Sequence, residues 1–199
     1  MNGMRFVLAT NNPGKLREMQ EILPGFGIEF VTRKDMDLDI EIEETGTTFL
    51  ENAMIKARAI CALTGLPAIA DDSGLIVDAL GGEPGVYTSS FGGEGLSERE
   101  RCDYLLHKLE NAEQRSAKFV CTIVCVFPDG EYITAQGECC GRIAKAPAGS
   151  GGFGYDPVFV ADGFSKTMAE LTPEEKNKAS HRGAALSKFA GLFLERGVL

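Results

Sequence analysis

The residues that follow the first apolar segment have the composition of an anion-binding turn. Residues 6–10 form an uncharged run that leads into two amides, a Pro-Gly pair and a lysine: Thr10, Asn11, Asn12, Pro13, Gly14 and Lys15. A strand, a turn and a helix start can hold a phosphate, because free backbone N–H groups and the positive end of the helix dipole face the anion. An ordinary turn between a strand and a helix explains the pattern equally well.

This turn differs from a Walker phosphate loop. That loop has a glycine five residues before its Gly-Lys pair and a serine or threonine after the pair. Ala9 and Leu16 occupy those two positions here. A kinase or GTPase of the Walker type is therefore excluded.

Two adjacent carboxylates lie between apolar segments. Asp71 and Asp72, followed by Ser73, separate residues 67–70 from residues 75–77. Buried carboxylates need a cation or hydrogen-bond donors, because uncompensated charge in a core is costly. Carboxylates can bind Mg²⁺, which prefers oxygen ligands, and one of them can accept a proton from water. The alternative is a local turn in which Asp72 or Ser73 bonds to nearby backbone.

Further charged candidates come from two other parts of the chain. At least one of Glu43 and Glu44, at the end of an otherwise solvated acidic stretch, is a candidate metal ligand. Lys176, His181 and Arg182, close to the predicted last helix, are candidates for binding phosphate groups.

A glycine-rich segment, residues 146–157, presents aromatic side chains and a carboxylate. Four glycines surround Phe153, Tyr155 and Asp156, with Gly154 between the two aromatic residues. An aromatic ring on a pliable backbone suits stacking on a planar ligand. Packing of the ring against the protein's own surface would explain the pattern equally well.

The elements that position these groups follow from periodicity and capping residues. Residues 16–23 are predicted to be helical, and capping boxes at Thr48, Ser97 and Thr172 predict three more helix starts. A last helix follows residues 180–183. Strands are predicted at 6–10, 28–31, 67–70, 75–77, 119–127 and 132–136, with 118–144 an antiparallel pair. The sheet is therefore predicted to be mixed.

Composition limits the class of protein. The chain has 199 residues and a net charge of −9, which predicts one α/β domain over residues 1–199 and disfavours a protein that wraps nucleic acid. No run approaches the roughly 20 apolar residues of a membrane span, and the first residues lack the pattern of a signal peptide. The six cysteines form no C-x-x-C pair, so we expect buried free thiols in a reducing cytoplasm.

Together these groups could form a nucleoside triphosphate site. Lysines and an arginine would bind phosphates, carboxylates would bind Mg²⁺ and accept a proton, and an aromatic ring would stack on the base. Six segments, in order along the whole chain, resemble the inosine/xanthosine triphosphate pyrophosphatase family. They are TNNPGK at 10–15, EETG at 43–46, FLENA at 49–53, ADDSG at 70–74, GGFGYDP at 151–157 and SHRG at 180–183.

The resemblance implies both a fold and a reaction. The family's fold is an elongated mixed α/β sheet flanked by helices, with an active-site cleft between two lobes, in a homodimer. Its members cleave ITP, dITP and XTP to the monophosphate and pyrophosphate with Mg²⁺, and so clear deaminated purines from the nucleotide pool. Neither nucleic acid nor a membrane is an expected partner.

The resemblance also assigns roles to residues of this chain. Glu43 and Asp72 match the metal positions, and Asp72 also matches the proton acceptor. Phe153 matches the ring that stacks on the base. The remaining matches are substrate contacts: Thr10, Asn11, Asn12, Pro13, Gly14, Lys15, Ser73, Gly154, Tyr155, Asp156, Lys176, His181 and Arg182.

Two questions stay open at this level. A donor against the 6-keto oxygen would reject ATP, whose 6-amino group would leave both partners unpaired, and Arg182, His181 or a backbone N–H could be that donor. The alternatives to this activity are a pyrophosphatase for other modified or pyrimidine nucleotides, and a non-catalytic nucleotide sensor.

Overall fold

The computed structural model describes residues 5–26 and 29–196, and in them the chain alternates strands and helices. The strands are β1 Arg5–Leu8, β2 Glu29–Thr32, β3 Ala68–Val77, β4 Ser116–Val126, β5 Tyr132–Ile143 and β6 Phe159–Ala161. The helices are α1 Pro13–Ile22, α2 Phe49–Thr64, α3 Glu98–Lys108, α4 Pro173–Ala179 and α5 His181–Glu195.

The strands form a mixed sheet in the order β2-β1-β3-β4-β5-β6. β1 pairs in parallel with β2 and with β3, whereas β5 and β6 are antiparallel. β4 and β5 are neighbours in the sheet and are joined by residues 127–131 alone, a connection short enough only for an antiparallel pair. The predicted mixed α/β fold and the pair within 118–144 are confirmed.

Several element boundaries differ from those predicted. β3 is one strand of 10 residues that runs through Asp71, Asp72 and Ser73, so the predicted break and the turn alternative at this point are wrong. α1 begins at Pro13, because Asn12 caps the helix and proline fits its first position. β6 was not predicted, since three residues give little periodicity. Residue 28, which was assigned to the second strand, lies outside the described residues.

Capping boxes mark the starts of α2, α3 and α4. Thr48, Ser97 and Thr172 each accept a hydrogen bond from the backbone N–H three residues on, and the glutamate there bonds back to the cap. α2 ends at Thr64 and is capped by Gly65, whose left-handed conformation (φ 67°) suits glycine. In the described part of the chain, no helix is long and apolar enough to cross a membrane.

The chain forms two compact units. Unit 1 contains residues 1–72, 121–137 and 182–199, and unit 2 contains residues 73–120 and 138–181. The predicted single domain over residues 1–199 stays a prediction.

Unit 1 has a core on each face of its strands, because neighbouring strand residues point to opposite faces. Phe6 and Leu8 belong to one core with residues of α1 and α5, such as Met19 and Phe189. Val7 and Ala9 belong to the other, and α2 covers it. Its main α2 members are Ala53, Ala57 and Ile60.

Unit 2 has one core of its own. The far end of β3 packs there with α3 and with residues of β4 and β5. Phe119, Tyr155 and Phe159 are its aromatic members, and the rings of Phe119 and Phe159 lie 4.6 Å apart between centroids. This core fixes the segment that carries Phe153 and Asp156.

Candidate active site

The turn after β1 is held by its own side chains. Asn12 Oδ1 accepts hydrogen bonds from the backbone N–H groups of Gly14 (2.9 Å) and Lys15 (3.1 Å), and Thr10 Oγ1 accepts one from Asn12 N–H (3.2 Å). The N–H of Leu16 is bonded to the Asn12 carbonyl. The expectation of free N–H groups at this helix start is therefore wrong for these residues, because Asn12 satisfies them.

The Lys15 side chain instead takes part in a buried ion cluster. Its ammonium lies 3.0 Å from Asp71 Oδ2, and the Arg182 guanidinium donates to the same oxygen at 3.1 and 3.3 Å. The Asp71 side chain is fully buried. Burial opposes its ionisation, but Lys15 and Arg182 outweigh burial and hold the pKa of Asp71 well below its usual value.

Glu18, which sequence reasoning missed, completes this cluster. It is buried on α1, three residues after Lys15, and its carboxylate accepts a hydrogen bond from Arg182. Arg182 itself is 1% exposed, so its charge is balanced by Glu18 and Asp71. A signal existed in the helical spacing, which places Lys15 and Glu18 on one face of α1.

Asp72 has different partners, because neighbouring strand residues point to opposite faces. Its Oδ1 lies 3.3 Å from the ammonium of Lys56, and its Oδ2 accepts from Asn52 Nδ2 at 3.3 Å. Both partners belong to α2. Lys56 also binds Glu44 at 2.8 Å, so one ammonium joins two carboxylates. Sequence reasoning missed Lys56 and Asn52, although Asn52 lies inside the quoted segment 49–53.

Asp72 is a candidate base, because its surroundings oppose its ionisation. Burial raises its pKa, and the cations Lys56 and Lys15 offset only part of that effect. The carboxylates of Glu44 and Asp71 add to the increase. A carboxylate with a raised pKa accepts a proton from water more readily than an ordinary aspartate.

The carboxylate oxygens at and near Asp72 are the kind of ligand that a hard cation binds. No group of three or more His, Cys, Asp or Glu side chains that could hold a metal occurs within residues 5–26 and 29–196. Mg²⁺ does not require such a group, because it keeps waters and binds one or two carboxylates together with substrate phosphates. Glu44 and Asp72 already share the positive charge of Lys56. Glu43 is exposed, and its role as a ligand stays a prediction.

Unit 2 holds a second polar cluster, around Asp156. Its Oδ2 accepts from Phe153 N–H at 2.8 Å and binds the Lys176 ammonium at 2.6 Å. That ammonium lies 4.6 Å from the centroid of the Phe153 ring. Gly152 is required here, since a Cβ would come within 2.1 Å of the same oxygen and its φ is 71°. Asp156 thus fixes both the loop and the lysine.

Three other predicted contacts of unit 2 differ in how deeply they are packed. Tyr155 is 3% exposed and donates a hydrogen bond to the Thr88 carbonyl at 3.0 Å. His181 stacks on Phe119, with ring centroids 4.8 Å apart. Ser73 is half-buried in β3. The contacts of these three residues with a substrate stay predictions.

Known proteins match this chain over nearly its whole length. The family model of the Ham1 family matches residues 6–192. A dITP/XTP pyrophosphatase of Aquifex aeolicus is 52% identical, with 93% of this chain and 94% of that protein covered. A dITP/XTP pyrophosphatase of Thermus thermophilus is 50% identical, with 94% and 90% covered.

Two solved structures have the same fold as this chain. A HAM1 protein from Coxiella burnetii is 43% identical with a TM-score of 0.88, and the match covers 96% of this chain and 99% of that one. The Staphylococcus aureus Ham1 protein is 39% identical with a TM-score of 0.87 and the same coverage. The chain matches the family model and its relatives over nearly its whole length, including the buried carboxylate pair. It therefore belongs to the Ham1 family.

Proposed function

We propose that this chain hydrolyses deaminated purine nucleoside triphosphates (ITP, dITP and XTP) to the monophosphate and pyrophosphate. The observation that carries the proposal is the position of Asp72, a buried carboxylate held between Lys56 and Asn52. Such a group removes a proton from an attacking water, and no covalent intermediate is needed. Relatives about half identical over most of their length have the name dITP/XTP pyrophosphatase.

Phosphate charge is balanced by residues of the chain and by a metal. Lys15 and Lys176 carry the side-chain charge, and Thr10, Asn11 and the rest of the first turn supply polar contacts. Glu43 and Asp72, with Glu44 beside them, would hold Mg²⁺. When bound, the metal would neutralise charge that develops on the phosphates.

The base is recognised by stacking and by one donor. Phe153 offers a ring for stacking on the purine, and Lys176 lies over the same ring. Arg182, His181 or a backbone N–H against the 6-keto oxygen would exclude ATP. The active form is a homodimer, which the family resemblance implies, and the cytoplasmic location stays a prediction from the sequence.

A product assay over about eight nucleotides tests the proposal. With Mg²⁺, we expect pyrophosphate from ITP, dITP and XTP, and little product from ATP, GTP or pyrimidine triphosphates. Asp72→Asn should remove turnover and keep the melting temperature within a few degrees. Orthophosphate as the product would contradict the reaction class, and preferred hydrolysis of other nucleotides would favour the alternative pyrophosphatase. Binding of ITP without hydrolysis would favour the nucleotide sensor.

A further inference from the structure

Asn52 is a buried polar residue on α2 to which the proposed reaction gives no role. Only 4% of it is exposed. Its Oδ1 accepts a hydrogen bond from Gly46 N–H at 2.8 Å, and its Nδ2 donates to Asp72 Oδ2 at 3.3 Å. One amide group therefore joins the end of the acidic stretch to the proposed base.

The network fixes the orientation of this amide. Gly46 N–H can only donate, and the ionised Asp72 carboxylate can only accept. Oδ1 must therefore face Gly46 and Nδ2 must face Asp72, since the reverse orientation would break both bonds. Both polar atoms of the Asn52 side chain are therefore hydrogen-bonded in one defined orientation.

α2 supplies one donor to each oxygen of Asp72. Asn52 binds Oδ2, and Lys56, four residues on and on the same face of the helix, binds Oδ1 at 3.3 Å. Lys56 also reaches back to Glu44, as Asn52 reaches back to Gly46. Two parallel links, one neutral and one charged, thus connect residues 44–46 with the carboxylate.

The close approach at Gly46 depends on its lack of a side chain. A Cβ there would lie 2.6 Å from Asn52 Oδ1 and 2.6 Å from Glu51 Cβ. The backbone of the acidic stretch can therefore reach the amide only through a glycine. The quoted segments at 43–46 and 49–53 act together in this contact.

We infer that Asn52 is a positioning residue, which fixes the plane of the Asp72 carboxylate and holds the adjoining acidic segment against it. The inference rests on the proposed function, because the orientation of Asp72 matters only if Asp72 reacts. Asn52 is expected to touch neither the substrate nor a metal.

Two substitutions separate its two hydrogen bonds. Asn52→Asp keeps an oxygen for Gly46 N–H but turns a second oxygen toward Asp72, whereas Asn52→Ala removes both bonds. We expect kcat to fall about 10- to 100-fold in both variants, as for other residues that orient a reacting group, with KM changed less than threefold. Asn111→Asp, the same change at an exposed asparagine of unit 2, should keep wild-type kcat.

Gly46→Ala is a second test that leaves Asn52 itself intact. The added methyl group would displace the amide, so kcat should fall in the same direction with KM unchanged. Wild-type kcat in Asn52→Asp would overturn the inference. So would a lower melting temperature with unchanged kcat, because that result assigns Asn52 a purely structural role.

A stability measurement tests the hydrogen bond without activity. The double variant Asn52→Asp with Asp72→Asn exchanges donor and acceptor. Its melting temperature should therefore fall by less than the sum of the decreases in the two single variants. Additive effects would overturn the pairing. If the wild type releases no pyrophosphate from ITP or XTP, the proposed function fails, while this cycle still measures the contact.

Discussion

Asp71 and Asp72 are neighbours in the chain, yet the protein shifts their pKa values in opposite directions. Asp71 faces Lys15 and Arg182, and these cations hold its pKa below the usual value despite full burial. Asp72 faces α2, where burial dominates and raises its pKa. Strand alternation sends the two carboxylates to opposite faces. Ionisation is therefore favoured at Asp71, which orders the surrounding cations, and is opposed at Asp72.

Phe153 provides a test of base stacking at the same scale. Because Lys176 lies over the Phe153 ring, a stacked purine would use the opposite face. Phe153→Ala should raise KM for ITP roughly 5- to 150-fold, since loss of an aromatic stacking partner costs about 1–3 kcal/mol per base. Steady-state kinetics with ITP measures this change.

Two matched variants at Phe153 separate stacking from packing. Phe153→Leu keeps most of the volume without a π face and should resemble Phe153→Ala, whereas Phe153→Tyr should resemble the wild type. If Phe153→Leu retains the wild-type KM, the ring serves only to pack against the protein.

At the scale of elements, β3 shows what the sequence could not reveal. Its apolar ends were recognised, but Asp71, Asp72, Ser73 and Gly74 interrupt the apolar pattern and resemble a turn. Here tertiary contacts outweighed local preference, because Lys15, Arg182 and α2 satisfy the carboxylates inside the sheet. Those partners are distant in sequence, so a reading of local pattern could not supply them.

The helix caps were predictable, because a capping box is a local pattern. Its glutamates also give stability a dependence on pH. In α3, hydrogen bonds from the Ser97 hydroxyl and backbone N–H lower the pKa of Glu100 below its ordinary 4.5. A folded-state pKa below the unfolded value gives stability that is present above the unfolded pKa. This stability is lost as pH falls through the folded pKa.

Glu100→Gln should therefore weaken the acid sensitivity of α3. Glutamine keeps the capping box but does not titrate, so the melting temperature should fall less between pH 5 and pH 3 than in the wild type. Thermal melts across this range measure the difference. Glu98→Gln, an exposed glutamate of the same first turn, is the control and should follow the wild-type curve. If the melting temperature changes equally with pH in all three proteins, the assigned contribution of Glu100 to acid sensitivity is wrong.

At the scale of the whole molecule, periodicity and caps predicted most elements and the mixed sheet, while long-range pairing decided the site. The residues of the quoted segments do cluster within each unit: Lys15 with Asp71 and Arg182, and Asp156 with Lys176 and Phe153. Lys56 was not predicted, since it is an ordinary charged residue of an amphipathic helix until its distant partner is known. Glu18 has a local signal in its spacing from Lys15, but its partner Arg182 is distant in sequence.

The burial of most of the cysteines provides a way to follow the unfolding of this molecule. Cys61, Cys102, Cys121, Cys125 and Cys139 are buried, whereas Cys140 is exposed. Burial raises the pKa of Cys102 and of Cys139 to about 11, so these thiols form little reactive thiolate at neutral pH. A maleimide should therefore label one site rapidly in the native protein and all six in denaturant, as counted by mass spectrometry. Several rapid adducts would contradict this assignment.

The labelling rates of the five buried thiols would then report on the two units separately. Cys61, Cys121 and Cys125 lie in unit 1, and Cys102 and Cys139 lie in unit 2. If the units open independently, peptide mapping will show two labelling rates, one for each set. If they open together, all five buried thiols will share one rate. The thiols that contribute to the packing thus become internal reporters of whether this chain unfolds in one step or two.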